Sequence, residues 1–169
     1  YAELEEQSYL DHGDKPITAL NAGTLANKLL QCASGAIYHD GDGRRMKTWE
    51  TIDSGRYELI AEMVEGRRHS LVFFLWKHQK YELERILKGK KISYAVLDGD
   101  VKGDEVRAGI VDDYQAGKYR TLLLHPKTGA YGLTLTKGTS LIYASPIYEA
   151  AAKIQGDARV LRGMQDQAT

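Results

Sequence analysis

The chain has 169 residues, with Lys+Arg 23 against Asp+Glu 23 and a formal net charge of zero. At this size roughly 70% of the unfolded surface can be buried, so one ordinary core is within reach. A composition 43% hydrophobic and 27% charged, with 3 Pro, excludes a disordered, collagen-like or coiled-coil chain, and the balanced charge means that any basic surface must be local.

The stretch Tyr1 to Leu10 carries Glu3, Glu5 and Glu6 and reads as an acidic helix. A second helix is expected from about Gly23 to Ala33, so that two helices precede any strand. Cys32, the single cysteine, excludes an internal disulfide, and its apolar neighbours predict a buried structural thiol. Tyr1 is no initiator, and the chain is expected to belong to something longer. No apolar run approaches the ~20 residues of a bilayer span and no charged-then-apolar leader opens the sequence, so a soluble intracellular domain is expected.

From Gly35 to Thr51 two short β-like runs flank Asp40-Gly41-Asp42-Gly43, which is hairpin chemistry. The same region nearly fits a phosphate-binding GxxxxGK[ST] loop, from Gly41 to Thr48. Met46 stands where the second glycine belongs, and its Cβ would obstruct the backbone nest that holds phosphates. A solvated hairpin tip is the reading adopted.

The rhythm then changes to helix and strand in alternation. A helix is expected from Ser54 to Glu65, stopped by Gly66, and an almost wholly apolar strand from Ser70 to Trp76. A helix from Lys77 to Lys88 ended by Gly89, a strand from Ile92 to Leu97, and a helix from Asp104 to Ala116 ended by Gly117 follow. Arg120 to Leu124 and Ser140 to Ser145 complete four strands, and Pro146 introduces a last helix from Tyr148 to Leu161. Strands alternating with helices predict a parallel α/β sheet with right-handed crossovers.

Four further segments are candidates for chemistry. Asp98 ends an apolar strand as a magnesium-holding aspartate would, but strand-Asp-Gly is also an ordinary turn, the reading preferred here. Gln155, Arg159 and Arg162 fall at i, i+4 and i+7 of the last helix, one stripe of donors that could clamp a γ-phosphate or serve as a plain solvated face with Arg162 pairing to Asp166. His125 to Thr136 follows a strand at its carboxyl end, where open α/β sheets bind ligands. There Gly129, Gly132 and Lys127 suit a phosphate, and a connecting loop is the alternative. Lys77 to Lys91 holds six Lys/Arg against two Glu and could track a phosphate backbone, or form an amphipathic surface. The histidines at 12, 39, 69, 78 and 125 have no ligand spacing, and no metal site is expected.

Taken in order, these segments resemble the second, C-terminal RecA-like lobe of superfamily-two helicases, specifically Swi/Snf-type DNA translocases and their phage and bacterial relatives. Ser70 to His78 is similar to that family's motif IV, Leu97-Asp98-Gly99 to the turn that follows it, His125 to Thr136 to motif V, and Gln155 to Gln165 to motif VI. Leu29 to Tyr38 resembles the leucine-glutamine segment before the lobe's core. Leu161 stands where motif VI often has His, and Thr134 where motif V has Asn.

The resemblance implies a three-layer α/β lobe, a parallel sheet with helices on both faces and no P-loop of its own, over residues 53–169, with residues 1–52 leading into it. It implies Arg159 and Arg162 as arginine fingers, Gln155 supporting them, and Gly132 and Thr134 beside the nucleotide. Lys77, His125, Lys127 and Thr128 would contact nucleic acid. The implied cofactor is ATP with Mg2+, bound mainly by an N-terminal lobe; the implied partners are that lobe and double-stranded DNA, in the cytoplasm of a bacterial or phage-infected cell, with no membrane. Alone the lobe is expected to be inactive. Two alternatives stay open on the residues: a non-catalytic nucleic-acid-binding α/β module, and a small-molecule α/β enzyme centred on His125.

Overall fold

The computed structural model describes residues 9–10, 17–18, 22–39, 48–129, 133, 135–146 and 157. It divides into two compact units, Tyr1–Arg56 and Tyr57–Thr169.

In the first unit β1 (Tyr9–Leu10) pairs antiparallel with β2 (Ile17–Thr18). This corrects the expectation of a helix over Tyr1 to Leu10. Tyr9 and Leu10 are extended, and among the described residues two strands precede the first helix; the rest of the Tyr1 to Leu10 stretch lies outside the described residues. That helix, α1 (Ala22–Ala33), leads through Gly35 into β3 (Ala36–Tyr38), which pairs antiparallel with β4 (Trp49–Thr51) as the hairpin reading required. Opposed Tyr38 and Trp49 meet with ring centroids 5.7 Å apart, the cross-strand contact that stabilises such a pair. Gly35 has φ 91°, and its carbonyl accepts the Ile52 and Asp53 amides at 2.9 and 3.2 Å. A Cβ at Gly35 would overlap the Asp53 carbonyl, so only glycine makes this turn. Cys32 is half-buried and, with Leu25 and Leu29, packs on Ile37. Burial pushes its thiol pKa up, as for an inert structural cysteine. The Gly41 to Lys47 stretch lies outside the described residues.

The second unit is built on four parallel strands, β5 (Ser70–Phe73), β6 (Tyr94–Leu97), β7 (Thr121–Leu124) and β8 (Ser140–Tyr143), in the order β6-β7-β5-β8. Side-chain alternation along each strand divides the core in two. Val72, Phe74, Leu123 and Ile142 face α2 (Gly55–Glu65) and α3 (Lys77–Gly89) through Tyr57, Ile60, Val64, Leu83 and Leu87. Leu71, Phe73, Leu122 and Leu124 face α4 (Asp104–Gln115) through Tyr114. The sheet is therefore the middle of three layers, as the resemblance implied. At its amino-terminal edge the Ser70 carbonyl accepts from Tyr114 Oη at 3.2 Å and Thr121 Oγ1 at 3.1 Å, and Ser140 Oγ donates to Ser70 Oγ at 2.9 Å, so these buried polar groups are satisfied.

Several boundaries differ from the sequence reading, β8 ending at Tyr143 rather than Ser145 among them, and three of them have a clear local reason. The strand expected over Ser70 to Trp76 stops at Phe73, because the Leu75 and Trp76 amides turn onto Gln79 Oε1 at 2.8 and 3.3 Å. Gly89 is the last helical residue of α3 rather than the left-handed stop beyond it. The left-handed residue is Lys91, φ 57°, where the Lys91 amide bonds the Lys88 carbonyl and the Ile92 amide bonds the Leu87 carbonyl, a Schellman pair. Ile92 is thus committed to the helix end, and β6 starts at Tyr94. Beyond β7 the expected loop opens with a short helix, α5 (Pro126–Gly129). The helix expected from Tyr148 to Leu161 lies outside the described residues except for Asp157, which is helical and accepts a hydrogen bond from Tyr143 Oη at 2.6 Å.

Candidate functional site

Parallel strands all deliver their carboxyl ends to one edge, so three segments remote in sequence meet where β6, β7 and β5 lie side by side. A cavity of about 380 Å3 opens there. The turn after β5 and the first turn of α3 supply Phe74, Lys77 and Lys80; the turn after β6 supplies Asp98, Gly99 and Asp100; and the start of α5 supplies His125, Lys127 and Thr128.

Backbone bonds lace these segments together. Phe74 N–H donates to the Leu124 carbonyl at 3.0 Å, and His125 N–H to the Leu97 carbonyl at 3.2 Å. The His125 ring packs edge-on against Phe74, centroids 5.9 Å apart, and its Nδ1 accepts the Lys127 amide at 3.3 Å. The imidazole is therefore held in a set orientation with Nε2 as its other nitrogen. Lys77 and Lys127 are exposed, and neither forms an ion pair with a described residue.

Lys80, one of the six cations in the segment from Lys77 to Lys91, is turned inward. It is only 9% exposed, and its Nζ donates to Asp98 Oδ2 at 2.7 Å and Asp100 Oδ2 at 3.1 Å. Burial works against its charge, and the hydrogen bonds to Asp98 and then Asp100 overcome that, leaving its pKa raised. The bond from Lys80, reinforced by its charge and that of Lys77, holds the Asp100 carboxyl below the usual range. Asp98 Oδ1 also accepts the Asp100 amide at 2.9 Å, so Asp98 makes the turn that was preferred over a magnesium ligand. The basic patch is further reduced by Arg85 pairing with Glu82 at 2.7 Å and Lys90 with Glu65 at 3.2 Å. Lys80, Leu83 and Leu87 share one helix face, and that spacing carried the signal that Lys80 points inward.

Gln79 also went unnoticed. It is fully buried, and besides capping Leu75 and Trp76 it donates through Nε2 to Ser145 Oγ at 2.5 Å. The first turn of α3 is thereby tied to the chain just past β8. His78 is also buried, between the Trp76 and Tyr57 rings, at centroid distances of 6.0 and 6.3 Å, which gives it a packing role.

The structure thus gathers Lys77, His125, Lys127 and Thr128 around one cavity. Gly132, Thr134, Gln155, Arg159 and Arg162 lie outside the described residues. Among the described residues no group of three or more His, Cys, Asp or Glu side chains could hold a metal ion, and no helix is long and apolar enough to cross a membrane.

Residues 55–164 match the family model described as the helicase conserved C-terminal domain. The chain belongs to that family. It is similar to the p41 protein of Acyrthosiphon pisum secondary endosymbiont phage 1, 32% identical over 144 residues that make up 84% of this chain and 28% of p41. It is also similar to the ATP-dependent helicase fft2 of Schizosaccharomyces pombe, 31% identical over 116 residues, 66% of this chain and 9% of that protein. Among solved structures, the C-terminal part of the Fun30 ATPase domain shares the fold with a TM-score of 0.57 at 20% identity, over 64% of this chain and 36% of that one. The helicase C-terminal lobe spans less than a third of the length of these curated relatives. It is a RecA-like second lobe of the superfamily-two type, and its parallel sheet is the one that family requires.

Proposed function

We propose that this lobe is the C-terminal half of an ATP-dependent DNA translocase motor in the cytoplasm of a bacterial or phage-infected cell, with residues 1–52 leading into it. The observation that carries this reading is the cavity: Lys77, His125, Lys127 and Thr128 come from segments about fifty residues apart, and all reach one pocket at the strand ends. Two exposed lysines, a hydroxyl and an oriented imidazole suit the phosphates of a duplex backbone, whose charge dominates such contacts.

ATP with Mg2+, held mainly by the partner N-terminal lobe, supplies the phosphoanhydride whose hydrolysis drives the cycle. On this side of the cleft Gly132 and Thr134 lie beside the nucleotide, Arg159 and Arg162 donate to charge developing on the transferred phosphoryl group, and Gln155 supports them. The lobe alone is inactive. Closure of the two lobes brings these donors into reach, and reopening lets the track residues release one backbone position and take another.

The test is Arg162→Ala in the protein with both lobes joined. The DNA-stimulated ATPase rate falls by about 10³ or more, the scale of an arginine finger; a near-unchanged rate at saturating DNA removes Arg162 from that role. ATP analogues also change the DNA affinity of the joined protein, and an affinity indifferent to nucleotide and falling only with salt identifies a non-catalytic binding module instead.

A further inference from the structure

The cavity at the strand ends already contains an anion on its lysines, supplied by the protein itself. Asp100 reaches back from the turn after β6, and its side chain is 69% exposed while its Oδ2 sits 3.1 Å from Lys80 Nζ. Lys77 and Lys102 act on the same carboxylate. Asp98 differs. Its side chain is 9% exposed, it lies 2.7 Å from Lys80, and its other oxygen is committed to the Asp100 amide.

We propose that Asp100 is a stand-in for a backbone phosphate: it occupies the anion position on Lys80 in the free lobe and is displaced when nucleic acid enters the cavity. The inference rests on the reading of this cavity as part of a DNA track. The two carboxylates divide the task. The buried Asp98 keeps Lys80 charged and in place throughout, so the ammonium is never left bare in the protein. The exposed Asp100 contributes little to Lys80 and costs little to move, because a solvated ion pair is weak. A phosphodiester offers two non-bridging oxygens with a full charge to the same donor, and Lys77 and Lys127 stand on the same rim. Asp100 therefore sets how firmly the track grips: each phosphate must outcompete a tethered carboxylate, and each departing one is replaced at once. Weak, quickly exchanged contacts suit a motor that has to let go.

The experiment measures the affinity of the joined two-lobe protein for a short fluorescein-labelled DNA duplex by anisotropy at fixed salt. Asp100→Asn tightens binding roughly two- to fivefold, the range expected when an exposed ion pair no longer competes. Asp112→Asn, an exposed acid on α4, is the control for long-range charge. In the Lys80→Met, Asp98→Asn background, which removes both buried charges together so that the fold survives, Asp100→Asn gives no gain. A gain that persists in this background, or that Asp112→Asn reproduces, is general electrostatics and overturns the stand-in. An unchanged or weaker affinity in Asp100→Asn does the same. Lys127→Ala separates the two levels: if it weakens binding while Asp100→Asn does nothing, the track stands and only the stand-in fails, whereas an unchanged affinity in Lys127→Ala removes the track itself.

Discussion

Gln79 and Ser145 are joined side chain to side chain at 2.5 Å, across 66 residues of sequence, linking the first turn of α3 to the chain beyond β8. The same amide oxygen holds the Leu75 and Trp76 N–H groups. Gln79→Ala leaves those part-buried N–H groups and the buried Ser145 hydroxyl without this partner and lowers stability by roughly 2–4 kcal/mol. Gln79→Glu keeps the acceptor for both amides and loses less. Urea unfolding followed by tryptophan fluorescence separates the two variants.

The Lys80 ion pair gives a pH signature. Its folded pKa is raised above the ordinary lysine value of 10.5, so the stabilisation is fully present below that value and is lost as pH climbs through the folded pKa. Lys80→Met strands the buried Asp98 carboxylate and costs roughly 2–4 kcal/mol at neutral pH. The gap between wild type and variant stays constant to about pH 10 and narrows above it. A gap unchanged at about pH 11 contradicts the pairing.

The end of α3 has its residues in an improvable order. Gly89 is helical, with open space where a Cβ would go, while Lys91 takes the left-handed conformation. Gly89→Ala with Lys91→Gly raises stability by roughly 1–2 kcal/mol, each change removing a backbone penalty of up to about 1 kcal/mol. Thermal unfolding of the double variant reads this directly.

Gly35→Ala acts in the opposite direction. The added methyl meets the Asp53 carbonyl at a backbone angle that disfavours any side chain, and the turn from α1 into β3 loosens. The cost is roughly 1–3 kcal/mol, and amide hydrogen exchange at Ile52 and Asp53 speeds up, because both donate to the Gly35 carbonyl.

The alternation of apolar strands and amphipathic helices from Ser70 onward was legible because a parallel strand covered on both faces is nearly continuously apolar, and β5 and β7 are so after their opening Ser70 and Thr121. Lys77, His125, Lys127 and Thr128, singled out through motif order, line one cavity. What sequence could not supply was pairing at a distance. Lys80 looks like any helix lysine until Asp98, 18 residues on, is brought against it by the neighbouring strand ends. Gln79 looks solvated until Ser145 arrives. Tyr9 and Leu10 are two residues of strand inside an acidic run, too short for a period of two to show. Gly89 misled because glycine after a helical run is the usual stop, and here the chain spends its left-handed turn on a lysine instead.

The strand order has a consequence for synthesis. β5 lies between β7 and β8, and its partners are made late: Ser70 pairs with Thr121 on one side and with Ser140 on the other. At roughly 5–20 residues per second, a ribosome that has finished β5 needs several seconds to supply the last neighbour. Until then this fully buried strand of the lobe has an unclaimed edge, and a nascent chain halted before Ser140 presents that edge to its surroundings. The cavity at the strand ends, by contrast, needs only the ends of β5, β6 and β7, so it takes shape before the segment carrying Arg159 and Arg162 has left the ribosome.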